Sequence, residues 1–145
     1  MTVTAILKQK GSTKIVTIRP DATMEECVRM LAQYRIGALV VSDDGAHIAG
    51  IVSERDVVKV LAQHGGSCLT RKVSTVMTGA VEGCTPSDRA LDILHRMTRG
   101  RFRHMPVLNK DGELAALISI GDVVKYRISE IEMEKMALED MIRGT

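Results

Sequence analysis

The chain has 145 residues, 45% of them hydrophobic, and a formal net charge of +2. This length suits one compact domain, and so small a net charge does not by itself indicate a nucleic-acid-binding surface. No window reaches the ~18 consecutive apolar residues of a membrane span, and the three cysteines, which have no C-x-x-C spacing, are expected to be reduced thiols in a soluble, cytoplasmic protein.

The first half begins with a predicted strand and a predicted helix. Residues 15–18 form a short extended run, and Thr23-x-x-Glu26 has the spacing of a capping box that opens a helix. Gly37 is expected to break this helix. Its buried face, at positions i, i+4 and i+7, comprises Met24, Val28 and Leu31.

A hairpin and a second helix complete this half. Residues 38–41 are wholly apolar, which is the pattern of a strand covered on both faces. The turn sequence Asp43-Asp44-Gly45 returns the chain into a strand at 47–52. Ser53 then caps a helix that runs to Gly65.

The second half repeats this order after a polar, glycine-containing linker at 64–75. Each half therefore has the order β-α-β-β-α. The predicted elements are a strand at 81–84, a helix with Ala90, Leu94 and Met97 on one face, strands at 105–108 and 114–119 around a turn at 109–112, and a helix from Gly121 onward.

The two halves align with a constant offset of 66 residues and no gap. Ser53-Glu54-Arg55-Asp56-Val57-Val58-Lys59 returns as Ser119-Ile120-Gly121-Asp122-Val123-Val124-Lys125. The chain is therefore a tandem duplication. It carries two Ser-x-x-Asp corners: the first corner is Ser53 with Asp56, and the second corner is Ser119 with Asp122.

The last helix departs from the repeat because its pattern continues to about Arg143. Glutamates decorate its other faces. The helix either folds back on its own core or packs against another subunit, and so long a helix on so small a body favours the second interpretation. Its apolar positions are Val124, Ile128, Ile131, Leu138 and Ile142, and Lys135 interrupts the pattern at an expected apolar position.

A Ser-x-x-Asp corner at a strand-to-helix junction has two interpretations. It is a capping box and nothing more, or it also binds a ligand. Three arguments favour a ligand. Asp is shorter than the Glu or Gln that usually closes the box; a helix N-terminus attracts anions; and a carboxylate accepts the two hydroxyl protons of a ribose diol.

A basic segment precedes the strand at 105–108. Residues 99–104 carry three arginines and His104, and they enclose Phe102, the single phenylalanine of the chain. The segment is either a solvated loop or a ligand-binding segment in which Phe102 covers a base while Arg103 and His104 reach phosphates. The equivalent residues 36–38 carry no charge, so the two corners are expected to differ. Without acidic or thiol neighbours, His104 is a poor metal ligand.

These residues together resemble a tandem of cystathionine-β-synthase (CBS) domains. The resemblance covers about residues 13–127 and rests on the two Ser-x-x-Asp runs and on the strands that begin Ile36-Gly37-Ala38 and Phe102-Arg103-His104. The chain is also similar to a bacterial subgroup of stand-alone CBS pairs, known as Bateman modules. The implied fold is α/β or α+β, with two intertwined β-α-β-β-α repeats, pseudo-two-fold symmetry and a long C-terminal helix. The implied division is repeat 1 at 13–63, a linker at 64–75, repeat 2 at 76–127 and a helical extension at 128–145.

The resemblance implies a non-catalytic regulatory module in which each cleft combines residues of both repeats. The implied ligands are AMP, ADP or ATP, in some members NAD(H) or S-adenosylmethionine, and the implied partners are a second copy of the chain and an unknown effector protein. By position, one cleft pairs Ser53, Arg55 and Asp56 with Thr85, Ala90, Phe102 and Arg103; the other pairs Ser119 and Asp122 with Arg19, Met24, Ile36 and Gly37; and His104 faces the phosphate region between them.

Gly121 and Ala116 stand where the first repeat has Arg55 and Gly50, so the second cleft is expected to have fewer phosphate contacts. Other functions stay open from the sequence. An enzyme is disfavoured because the chain shows no P-loop, metal-ligand cluster or nucleophile–base pair. An RNA- or DNA-binding module built on the arginines of 96–103 lacks further stacking aromatic residues. A scaffold whose clefts have lost their ligands is the remaining alternative.

Overall fold

The computed structural model describes residues 1–11 and 14–144. Over these residues the chain is a mixed α+β fold with two small sheets and a long C-terminal helix, which confirms the predicted fold class. The predicted repeat start at residue 13 and the final residue 145 lie outside the described residues. The elements are α1 (Val3–Lys10), β1 (Thr17–Ile18), α2 (Met24–Tyr34), β2 (Ala38–Val41), β3 (Gly50–Ser53), α3 (Glu54–His64), α4 (Ala90–Gly100), β4 (His104–Leu108), β5 (Leu114–Ser119) and α5 (Ile120–Ile142).

The chain divides into two compact units that do not coincide with the two sequence repeats. Unit 1 comprises Met1–Thr13, Cys84–Met105 and Ile118–Thr145, and unit 2 comprises Lys14–Gly83 and Pro106–Leu117. The first repeat, from Lys14 onward, lies in unit 2, whereas the second repeat is divided between the two units.

Unit 2 contains a three-stranded sheet in the order β1-β2-β3. Strand β2 pairs in parallel with β1 and antiparallel with β3, where Ala38 lies opposite Ser53 and Val41 opposite Gly50. All four residues of β2 are buried, as the wholly apolar run predicted. This register places Ser53 at the end of β3, where α3 begins.

Helix α2 lies in the same unit and begins as predicted, because the Thr23 hydroxyl accepts a hydrogen bond from the Glu26 N–H at 3.2 Å. Its fully buried face includes Cys27 rather than Val28. The helix ends before Gly37, since Arg35 is the C-cap with a left-handed φ of 53°. Arg101 caps α4 at the equivalent position with a φ of 57°.

The predicted linker is not extended. After α3 ends, the linker forms two short 3-10 helices, Gly65–Thr70 and Val73–Thr75. Cys68 and Val73 from these turns join the hydrophobic core of unit 2. The buried members of that core are Ile18, Met24, Cys27, Leu31, Leu39, Val41, Val52, Val60, Cys68 and Val73.

Unit 1 contains the helices α1, α4 and α5. Helix α1 was not predicted from the sequence, and it buries Val3 and Ile6 completely. Helix α4 buries Ile93, not Leu94, between Ala90 and Met97. In the described part of the chain, residues 81–84 belong to none of the named strands, although they were predicted to be extended.

Helix α5 runs through 23 residues, which confirms the predicted long terminal helix. Val123 is buried, but the predicted apolar positions are exposed, from 41% at Val124 to 85% at Ile142. In the described residues this stripe is therefore not folded back on the core. No helix among these residues combines the length and the apolar character needed to cross a bilayer.

Candidate functional site

The first corner closes the N-terminus of α3. Asp56 Oδ2 accepts hydrogen bonds from the Ser53 N–H at 2.9 Å and the Ser53 hydroxyl at 3.1 Å. In return, the Asp56 N–H lies 3.4 Å from Ser53 Oγ, which completes a capping box. These cap bonds end on Oδ2, so they leave the other carboxylate oxygen, Oδ1, for other donors.

The second corner has the same geometry at the start of α5. Asp122 Oδ2 accepts from the Ser119 N–H at 2.8 Å, and the Asp122 N–H donates to Ser119 Oγ at 3.1 Å. This geometry is therefore compatible with both interpretations of the Ser-x-x-Asp motif, a helix cap alone and a helix cap that also binds a ligand. The aspartates are caps, and one oxygen of each takes no part in the cap bonds.

Each corner is also tied to the strand segment of its own repeat. The Glu54 N–H donates to the Gly37 carbonyl at 3.0 Å, and the Ile120 N–H donates to the Arg103 carbonyl at 2.7 Å. These four residues occupy equivalent positions in the duplication. The structure thus brings Gly37 next to the first corner and Arg103 next to the second.

Lys10 is a contact of the second corner that the sequence analysis missed. Its Nζ lies 2.8 Å from Asp122 Oδ2, and the two side chains are 24% and 22% exposed. Burial raises the pKa of the Asp122 carboxyl, but the bonds from Lys10 and from the Ser119 backbone outweigh it and lower that pKa below its ordinary value. No motif marks Lys10, because the contact spans 112 positions of the sequence.

The basic segment lies in unit 1. Phe102 is half-buried, and its ring lies over Gly100, where a side chain would clash. Arg103 is exposed, whereas His104 is half-buried at the start of β4. Phe102 therefore has a fixed position beside the C-terminus of α4, and its N–H donates to the Met97 carbonyl at 3.2 Å.

The other predicted residues of unit 1 lie before and at the start of α4. Thr85 is exposed; its N–H and hydroxyl donate to the two oxygens of Asp88 at 3.0 and 3.1 Å. Ala90 is buried as the first residue of α4. Thr85 thus presents a side chain to solvent, while Ala90 contributes to the core.

The predicted residues of unit 2 differ in accessibility. Arg19 is exposed and pairs with Asp21 at 3.2 Å and Asp43 at 3.7 Å. Met24 is fully buried in the core of this unit, and Ile36 packs against that core. Arg55 is exposed on the first turn of α3. Because the partners predicted for each corner belong to different units, the pairing of these residues across repeats stays a prediction.

Neither metal chemistry nor thiol chemistry is favoured by these residues. The described part of the chain contains no group of three or more His, Cys, Asp or Glu side chains that could hold a metal ion. Burial, reinforced by the charge of Asp56, raises the pKa of Cys27 to about 11. Burial and the charge of Asp88, opposed by Arg96, raise the pKa of Cys84 to about 11. Thiols with such pKa values are poor nucleophiles.

The family model of the CBS domain matches the chain twice, over residues 8–63 and 73–129. The chain belongs to the CBS domain family. The resemblance drawn from the two corners is thereby confirmed, and the chain is a CBS pair.

Several known CBS proteins are similar to this CBS pair. The CBS-domain containing protein ATU1752 from Agrobacterium tumefaciens is 42% identical, with a TM-score of 0.82, and the match covers 87% of this chain and 92% of that one. The CBS domain-containing protein CBSX3, mitochondrial, from Arabidopsis thaliana is 33% identical, over 99% of this chain and 72% of that protein.

One similar structure is a complex with AMP. The CBS domain protein PAE2072 from Pyrobaculum aerophilum, complexed with AMP, is 27% identical with a TM-score of 0.72, and the match covers 84% of this chain and 89% of that chain. CBS pairs of this fold therefore include a nucleotide-binding protein.

Proposed function

We propose that this CBS pair is a non-catalytic regulatory module of the cytoplasm that binds an adenine nucleotide and relays its presence to a partner protein. The observation that carries the proposal is the pair of equivalent corners, each with an aspartate whose cap bonds leave one carboxylate oxygen available. The AMP complex of the Pyrobaculum aerophilum relative supports the ligand class. AMP is the first candidate, followed by ADP, ATP and NAD(H).

The chemistry of a corner suits the ribose of such a ligand. A carboxylate accepts hydrogen bonds at both of its oxygens, and a ribose diol offers two hydroxyl donors. The adjoining helix N-terminus, at Ser53 or Ser119, places positive dipole ends where a phosphate group is stabilised. Arg55 on the first turn of α3 supplies a cation at the first corner.

The base-side residues are part of the proposal. We assign Phe102, which is half-buried and held against Gly100, as the ring that covers the base, and the exposed Arg103 as a phosphate contact. Stacking of a base on an aromatic ring contributes about 1–3 kcal/mol. Phe102→Ala is therefore expected to weaken AMP binding without altering the two aspartates.

Titration of the purified chain with nucleotides tests this function. At a ligand concentration of about 100 times its Kd, binding adds about 2.7 kcal/mol to the free energy of unfolding, which raises the Tm by several degrees. A panel of AMP, ADP, ATP, NAD, NADH and S-adenosylmethionine identifies the ligand. Asp56→Ala and Asp122→Ala should each remove one component of the response.

A matched control is available in α4. Asp92→Ala changes an exposed aspartate in the first turn of that helix, and it should leave the nucleotide response intact. If neither corner variant alters the response, the ribose assignment is wrong. If no member of the panel raises the Tm, the chain is a scaffold without a nucleotide ligand; salt-dependent binding of RNA or DNA would instead indicate a nucleic-acid module.

Besides the unknown effector protein that receives the signal, we propose a second copy of the chain as a partner, packed on α5. The apolar stripe of this helix is exposed along its length, and an exposed stripe of this kind marks an interaction surface. The helix carries both glutamates and lysines beside the stripe, which suits antiparallel or parallel packing of like helices. A ligand that binds two arrangements of such an assembly with different affinity shifts the population between them.

A further inference from the structure

Helix α1 is firmly held within unit 1. Its residues Val3 and Ile6 are fully buried. The segment that leads into α4 forms backbone hydrogen bonds with it: the Val3 N–H donates to the Asp88 carbonyl at 2.8 Å and the Thr4 N–H donates to the Pro86 carbonyl at 3.0 Å. The first turns of α1 therefore have a defined position against the segment that precedes α4.

The last turn of α1 reaches α5 and the second corner. Gln9 Nε2 donates to Ser129 Oγ at 3.0 Å, and Lys10 Nζ donates to Asp122 Oδ2 at 2.8 Å. Lys10 is the final residue of the helix. Its ammonium group is placed on the carboxylate by the anchored helix, and no part of the second repeat itself supplies this cation.

The two corners consequently differ in what occupies the aspartate. At the first corner, Oδ2 of Asp56 accepts from the N–H and hydroxyl of its own cap residue, Ser53. At the second corner, Oδ2 of Asp122 accepts from the N–H of Ser119 and also from the ammonium group of Lys10, while the Ser119 hydroxyl bonds the same carboxylate. A hydroxyl rotates away at little cost, whereas a charge-assisted hydrogen bond in a half-buried site does not.

The Lys10 contact opposes a ligand that needs the same carboxylate. A diol that spans both oxygens of Asp122 needs an acceptor position that Lys10 already fills. The ammonium group also cancels the charge that makes Asp122 a strong acceptor.

We infer that Lys10 determines the specificity of the second corner by competing with ribose for Asp122, so that a ligand enters this corner only when the last turn of α1 moves away. This inference rests on the proposed function, because it assumes that ribose is the group bound. Its consequence is that occupancy of the second corner is coupled to the position of α1. In the described part of the chain, the cap bonds of Asp56 come from Ser53 of the same corner and involve no residue of α1.

Isothermal titration of AMP tests the competition in an Asp56→Ala background, where the second corner is the remaining ribose site. Lys10→Met keeps the aliphatic stem and removes the charge, and it should tighten AMP binding about tenfold. Lys10→Arg keeps the ion pair and should leave the affinity low. Lys8→Met is the matched control, since it changes an exposed lysine of the same helix, and it should have no effect.

Hydrogen exchange of the full-length protein supplies a second measurement. Saturating AMP in the Asp56→Ala background should increase exchange at the Gly11 amide, which closes the last turn of α1 by donating to the Leu7 carbonyl at 3.1 Å. Lys10→Met should show faster exchange at this amide before AMP is added.

The outcomes separate this inference from the proposed function. Asp122→Ala retains the first corner, so AMP binding by that variant supports the proposed function independently of Lys10. If that variant binds AMP but Lys10→Met leaves the second corner unchanged, the competition is wrong. If Lys10→Met weakens binding there, Lys10 is a phosphate ligand and the inference is also wrong. If neither corner binds AMP in any variant, both proposals fail.

Discussion

The carbonyl oxygen of Thr78 lies where a side chain of Gly50 would stand. A Cβ atom at Gly50 would be 2.6 Å from that oxygen and 2.7 Å from Met77 Sδ. The close approach is maintained by two backbone hydrogen bonds between Ile51 and Thr78, at 3.0 and 2.9 Å. The Met77 side chain can move, but the Thr78 oxygen belongs to the backbone and cannot rotate out of the way.

Gly50→Ala is therefore expected to destabilise the protein. Forcing an extra methyl group into a well-packed site costs about 1–3 kcal/mol, which urea denaturation followed by circular dichroism will measure as a lower midpoint. The second repeat has Ala116 at the equivalent position, so the requirement belongs to the Thr78 contact and not to the repeat.

Gly121→Ala is the matched control for this change. A Cβ at Gly121 would meet only Ser119 Oγ, at an ordinary 3.6 Å, and alanine is preferred over glycine in a helix by about 1 kcal/mol. This variant should be as stable as the natural protein or more so. Equal stability of Gly50→Ala and the natural protein would contradict the packing at Thr78.

Acid should weaken the fold through Asp122. Because the pKa of this carboxyl is lowered in the folded state, its ionisation stabilises the protein at pH values above the unfolded-state pKa of about 3.9, and this contribution is lost as the pH falls through the folded-state pKa. The free energy of unfolding should therefore fall less steeply between about pH 5 and about pH 2 in Asp122→Asn than in the natural protein.

Lys10→Met provides the companion measurement for this titration. Without the Lys10 ammonium group, the carboxyl loses a bond that lowers its pKa, so carbon-detected NMR should show Asp122 titrating at a higher pH. An unchanged titration curve would mean that the 2.8 Å contact does not persist in solution.

The exposed stripe of α5 should hold two copies together. Ile131, 53% exposed near the middle of the helix, is expected to be buried by the second copy, so Ile131→Glu should place a charge in that contact. Light scattering after size-exclusion chromatography should report twice the 15.9 kDa chain mass for the natural protein and a single chain for the variant.

Val58→Glu controls for the introduction of a charge at an exposed aliphatic residue. Val58 lies on α3 and is 66% exposed, and this substitution should leave the assembly unchanged. A natural protein that elutes as a single chain at all concentrations would exclude α5 as a self-association surface.

The elements that local patterns specify were predictable from the sequence. The fully apolar run of β2, the cap at Ser53 and the limits of β5 all follow from neighbouring residues, and the structure places them as expected. Within helices, the buried face was predicted with an error of one position. Cys27 and Ile93 are buried in place of Val28 and Leu94, because an i, i+4 spacing and an i, i+3 spacing fit one face almost equally well.

The features that depend on distant contacts were not predictable. Helix α1 is short, and its stability comes from packing Val3 and Ile6 and from bonds to the segment before α4. Helix α2 ends at Tyr34, so its left-handed C-cap falls on Arg35 and not on Gly37, which lies two positions later. The ion pair of Lys10 with Asp122 was not predictable either, because it forms only when α1 is packed in place.

A carboxylate that closes a helix contributes to folding whether or not an effector is bound. The spacing shared by Ser53–Asp56 and Ser119–Asp122 thus serves the architecture as well as, in our proposal, the ligand. The informative residue is the neighbouring cation: an arginine encoded within the motif at the first site, and a lysine contributed from outside the repeat at the second.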